Sequence, residues 1–186
     1  MDNKDIESFA EKVRSALDVS TPVNFIQVIA DLYGELHTFS DSECSKEAYI
    51  KPLREYNNEL ENLNANLPLF RIGVHEDYLS ANRRRFSIAH ELGHLFLHLN
   101  FNNPEKWNEK VRTNQPYYRY GSSQQENEAH SFAASFLMPK DEFMSVLNIN
   151  TDEDENVDII KVANHFEVSK AAVINRGRWL GVFSWN

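Results

Sequence analysis

Apolar residues at Ile6, Phe9, Ala10, Val13, Ala16 and Leu17 recur at helical spacing and predict an amphipathic helix at the start of the chain. Thr21-Pro22 reads as a cap and first-turn proline for a second helix carrying Phe25, Ile26, Ile29 and Leu32, with Gly34 as its stop. Residues 35–39 are expected to form a short strand. From Ser40 to Asn66 the chain turns polar, with Pro52 and many Asn and Glu; some helix is plausible there, but the pattern places none. Leu69, Ile72 and Val74 predict a strand over 69–75, with Gly73 as its weak point.

The stretch 82–99 reads NRRRFSIAHELGHLFLHL. Phe86, Ala89, Gly93 and Leu97 share one side, and Leu92, Leu95, Phe96 and Leu99 fill another. A helix apolar nearly all round belongs in the centre of a core. Residues 100–125, rich in Asn, Gln, Pro, Tyr and Ser, read as a long loop, which in a compact domain is often functional. Helical spacing returns over 126–138, with Ala129, Phe132, Ala133, Phe136 and Leu137 on one stripe and Pro139 ending it. After an acidic linker at 151–156, two short helices are expected over 157–166 and 169–180, joined by Glu167-Val168.

His90-Glu91-Leu92-Gly93-His94 sets the pattern HExxH on the central helix. Four residues exceed one turn by about 40°, so the two imidazoles stack on one face. Both Nε2 atoms can then reach one Zn²⁺ at about 2.0–2.1 Å. Glu91 points about 100° away from His90, beside the metal without ligating it, where a carboxylate accepts a proton from water. Two core imidazoles would otherwise carry a desolvation cost that a metal removes.

Such a site needs a third ligand. The extended pattern with Gly and His three and six residues past the second histidine meets Leu97 and Asn100, which excludes that class. His98 continues the stack by another i+4 step, but the helix curves away from a single ion, so His98 is read as packing or supporting a ligand. The downstream candidates are Glu126, Glu128 and His130. Measured from the apolar stripe, Glu126 lies about 50° away, His130 about 90° and Glu128 about 110°. Glu126 is the acid turned most naturally toward the metal helix. His130, one turn on, orients a ligand or replaces it.

Composition then narrows the classes. The chain has 186 residues, 41% hydrophobic and 25% charged, which suits one globular domain with at most a small appendage and excludes wholesale disorder. Asp and Glu outnumber Lys and Arg by 28 to 19, and a net charge of −9 opposes a role in coating nucleic acid. Cys44 is the single cysteine, so there is no internal disulfide, and with no histidine pattern beside it the thiol is read as inert. The first residues lack the apolar run of a signal peptide, and no stretch reaches the ~18 apolar residues of a membrane span. The expectation is a soluble cytoplasmic protein.

The runs RRRFSIAHELGHLFLH (83–98) and ENEAHSFAASFLMP (126–139) resemble the ImmA/IrrE family of zinc metallopeptidases. That family shows R-F-[ST]-x-A-H-E-L-G-H and then E-x-x-A-N-x-F-A-x-x-L-L-M-P. The resemblance is strong in these two motifs and extends in general order over 69–180. It implies an α+β, predominantly helical fold with a gluzincin-like HExxH core, a small β-sheet and a C-terminal helix-turn-helix-like tail. The core would occupy 1–150 and the tail, packed on it, 151–186. It also implies a zinc cofactor held by His90, His94 and Glu126, with Glu91 as general base. The family's Asn or Asp four residues after the ligand Glu is replaced here by His130. The implied partner is a helix-turn-helix repressor of a mobile-element or stress-response system, inactivated by proteolysis.

Other residues invite functional readings. Arg83, Arg84 and Arg85 sit at a helix N-terminus, where the macrodipole disfavours cations. They form a solvated basic turn, or Arg85 pairs with a buried carboxylate. Tyr117, Tyr118 and Tyr120 are candidate donors to a tetrahedral oxyanion, or simply pack over the core. Residues 159–180 resemble a DNA-binding helix-turn-helix with Lys170, Arg176 and Arg178 on its second helix. Glu167 stands where a turn glycine is expected, and the surrounding charge is acidic, so a structural use of the tail is favoured. Two alternatives to a peptidase remain: a non-catalytic DNA-binding regulator acting through the tail, and a binder that sequesters a repressor around a structural zinc. An intact Glu91 speaks against the second, because a purely structural site has no use for a base.

Overall fold

Asp2 opens the first helix, its side chain accepting a hydrogen bond from the Asp5 N–H, and α1 runs over Asn3–Ala16 with Ile6, Ala10 and Val13 buried at the predicted spacing. The computed structural model describes residues 1–40, 47–56, 67–76, 80–112 and 123–185. Within them lie eight helices and one three-stranded sheet, an α+β architecture dominated by helix.

The second helix, α2 (Phe25–Asp31), is capped by Asn24, which accepts from the Gln27 N–H. Thr21-Pro22 is therefore not its cap. The Thr21 hydroxyl instead joins Arg14 to Glu142, receiving a 3.0 Å bond from one and donating a 2.7 Å bond to the other. Nor is Gly34 the helix stop: Tyr33 takes the left-handed conformation at φ 56°, and Gly34 begins strand β1 (Gly34–Phe39). A side chain at Gly34 would collide with the Phe70 ring, which lies across its Cα partner strand.

Strand β2 (Ala48–Pro52) lies inside the polar stretch where the pattern allowed some helix, with Ala48, Ile50 and Pro52 buried in alternation. The third strand, β3 (Phe70–His75), is central: it pairs in parallel with β1 and antiparallel with β2. Gly73 is needed because the Tyr49 ring on β2 covers it.

Helix α3 (Ala81–Leu97), capped by Ser80, packs on β2 and β3 and runs buried without interruption from Ser87 to Leu95. The expected long loop is interrupted by α4 (Pro104–Arg112), which seats the fully buried Trp107 against Phe101 and donates its indole N–H to the Arg54 carbonyl at 3.0 Å. Helix α5 (Ser123–Leu137) packs between α3 and α1. Pro139 ends it and opens α6 (Lys140–Ile149), which the pattern did not place. The tail helices are α7 (Ile159–Phe166) and α8 (Lys170–Trp179), with Glu167 between them in the left-handed conformation at φ 51°. Arg176 of α8 is buried and donates to the Met138 carbonyl, to Ser135 Oγ and to Glu7, tying the tail to α5 and α1. No helix among the described residues is long and apolar enough to cross a membrane.

Gly93 fixes how closely α3 approaches α5. A Cβ built there would lie 3.0 Å from Ala129 Cα and 3.1 Å from its carbonyl oxygen, backbone atoms that cannot swing aside. Gly93→Ala would gain about 0.8–1.0 kcal/mol of helix propensity and incur about 1–3 kcal/mol of overpacking. The second effect wins. We expect thermal unfolding of the metal-free variant to show a net loss of about 1 kcal/mol; a raised melting temperature would contradict the packing argument.

Candidate metal centre

The contact at Gly93 and Ala129 brings the first turn of α5 against the histidine face of α3. His90 and His94 stand one turn apart with ring centroids 4.7 Å apart and planes at 78°. Their Nε2 atoms are 3.0 Å from each other. Glu126 completes the triangle, with Oε2 3.2 Å from His90 Nε2 and Oε1 3.4 Å from His94 Nε2. Both imidazoles are buried, whereas the Glu126 side chain keeps 28% of its exposure.

These distances fit a metal. Ligand atoms about 2.0–2.2 Å from a tetrahedral ion lie roughly 3.3–3.6 Å from one another. Three donors already separated by 3.0–3.4 Å need only a few tenths of an ångström of adjustment. The donor set of two imidazoles and one carboxylate is that of catalytic zinc sites, which keep a fourth position open. Glu91, 1% exposed, follows His90 on the same buried stretch of helix. Two imidazoles and two carboxylates gathered in and around a core are costly to desolvate, and a divalent cation offsets that cost.

The remaining sequence candidates fall in several places. His98 faces away from the three donors: its Nδ1 is 2.8 Å from His94 Nδ1, and its Nε2 is 3.1 Å from Glu128 Oε2. Glu128 also receives hydrogen bonds from Gln124 and from the Met1 amino group. The amino-group bond is the largest influence holding its carboxyl down at about 2, against the opposing effect of burial. His130 packs its ring between Phe86 and His90, at centroid distances of 5.0 and 5.1 Å.

Arg85 lies outside the triangle. It pairs at 3.1 Å with Glu167, a half-exposed carboxylate rather than the buried one of the second alternative, donates to the Val23 carbonyl and covers the Phe25 ring. Arg83 pairs with Glu47, and Arg84 donates to the Glu76 carbonyl. Tyr117, Tyr118, Tyr120 and Cys44 lie outside the described residues.

His90 and His130 open onto a cleft of about 930 Å³ that runs between α5 and α8, past Asn127, Asn175 and Trp179. The pattern gave no sign of this cleft, because its walls mix polar residues with Phe86, Met138 and Trp179 drawn from elements far apart in the chain. The contact between Glu128 and His98 was also missed; its only trace in the sequence is an acid two residues after the candidate ligand.

The family model of the IrrE N-terminal-like domain, peptidase M78, matches residues 48–177, more than two thirds of the chain. The chain belongs to this family. Membership in the IrrE-like group supports a metallopeptidase-like or regulatory role. No curated protein matches the sequence. Among solved structures, a Mycobacterium tuberculosis transcriptional regulator superposes with a TM-score of 0.54 at 16% identity, covering 92% of this chain and 46% of that one. The likeness is one of fold, and the IrrE-like chain spans less than half the length of that regulator.

Proposed function

We propose that this protein is a zinc-dependent endopeptidase of the cytoplasm whose substrate is a helix-turn-helix transcriptional repressor. The observation that carries the reading is the convergence of His90 Nε2, His94 Nε2 and the Glu126 carboxylate within 3.4 Å, with Glu91 buried on the same helix. Zinc held there would supply a Lewis acid that polarises a scissile carbonyl and makes water easier to deprotonate. Glu91 takes the proton as water adds to the carbonyl carbon. It then delivers that proton to the leaving amine as the C–N bond breaks. A substrate segment reaches the site along the cleft on which His90 and His130 open, with α8 as one wall.

That placement also supports reading residues 151–186 as an appendage of a 1–150 peptidase core rather than as a DNA reader. Arg176, the central cation of α8, is engaged by Glu7, Ser135 and Met138, and so is not offered to phosphate. The repressor as substrate rests on family membership.

The test is to incubate the zinc-loaded protein with helix-turn-helix repressors of its own genome and to look for new termini by mass spectrometry. One zinc-dependent cut, abolished by chelator, is expected. Repressors left whole, with repression relieved by binding alone, would favour sequestration.

A further inference from the structure

His94 has two ring nitrogens with opposite tasks. Its Nε2 faces His90 and Glu126, and must carry a lone pair to serve as a ligand. In a neutral imidazole the proton then sits on Nδ1. That Nδ1 is 2.8 Å from His98 Nδ1, so two like atoms meet and one must accept. The choice is made at the other end of His98, where Nε2 lies 3.1 Å from Glu128, an acceptor only. A carboxylate there requires His98 to hold its proton on Nε2. His98 Nδ1 is thereby left as an acceptor for His94.

We propose that Glu128 and His98 form a two-step relay that fixes the tautomer of His94 and so presents its Nε2 lone pair to the metal. The inference rests on the zinc reading of the triangle, and it makes His98 and Glu128 positioning residues rather than ligands. The geometry is built in: His98 is the C-cap of α3, one turn past His94, and its backbone N–H bonds the His94 carbonyl at 3.0 Å. Both side chains are largely buried, at 4% and 14% exposure. Glu128 comes from α5, which also carries Glu126, so one helix supplies both a ligand and the end of the relay that orients another. Metal-ligating histidines commonly give their second N–H to a carboxylate or carbonyl; here a second imidazole is interposed.

Two substitutions separate the relay from mere packing. His98→Phe keeps a planar ring but can neither accept from His94 nor donate to Glu128. His98→Gln restores both functions through its amide oxygen and nitrogen. Zinc affinity by chelator competition should fall about 10–100-fold in His98→Phe and stay within about threefold of the parent in His98→Gln. In the metal-free parent, nitrogen NMR should show His94 protonated at Nδ1 and His98 at Nε2. Parental affinity in His98→Phe, equal losses in both variants, or a His94 protonated at Nε2 would overturn the relay. A parent that binds no zinc would instead overturn the metal reading, and the metal-free NMR result would still decide the tautomers.

Discussion

Glu91→Gln is expected to yield a folded, zinc-loaded protein that no longer cuts its substrate. Gln is nearly isosteric with Glu, so the packing around a side chain only 1% exposed is retained and no ligand is removed. What is lost is the carboxylate that, on the proposed mechanism, accepts a proton from the attacking water and returns it to the leaving amine. Loss of general-base catalysis typically costs about 10²–10⁴ in rate, or roughly 2.7–5.4 kcal/mol of barrier. Single-turnover cleavage at saturating enzyme checks this, with zinc content measured on the same sample. A variant that cuts within about threefold of the parent rate would assign the base to another residue. A variant that relieves repression in cells as well as the parent would make binding, not hydrolysis, the function.

His94→Ala should strip most of the zinc affinity from the site. Structural zinc sites with four ligands bind with about 10–16 kcal/mol, or roughly 2.5–4 kcal/mol per ligand. Removing one should weaken binding about 10²–10³-fold. The loss is also visible as stability. At a zinc concentration 100 times the parent's Kd, the parent gains about 2.7 kcal/mol, whereas the variant gains at most about 0.4 kcal/mol. For a domain of this size the parent's gain corresponds to a rise of roughly 5–10 °C in melting temperature. Glu126→Gln should show the same pattern to a lesser degree, since the amide oxygen remains a weak donor. Equal zinc-induced shifts in parent and His94→Ala would remove His94 from the site.

The parts of the molecule legible in the sequence are those where one helix carries the whole signal. HExxH is such a case, because four residues of helix fix the relation of His90 to His94 whatever surrounds them. The choice of Glu126 over Glu128 was also local: the angle from the apolar stripe separates them, and the structure sends one to the histidine triangle and the other to His98. Element boundaries failed where two signals competed. Asn24 caps α2 because its side chain reaches the Gln27 N–H, although Thr21-Pro22 made the stronger pattern. Helix α4 hid among Asn, Gln and Tyr, yet Pro104 at its first position and Trp107 toward the core were signals available to be read. Strand β2 was hidden by composition, since its alternation spans only five residues within a polar stretch. The relay through His98, the buried Arg176 and the cleft beside α8 depend on contacts between distant segments, which no local period encodes.

Metal analysis of the purified, dialysed parent beside His90→Ala most directly tests the claim that this face of α3 is a zinc centre. The geometry of His90, His94 and Glu126 predicts about one zinc per chain in the parent and next to none in the variant. A parent without zinc, or a variant that retains a full equivalent, would contradict it.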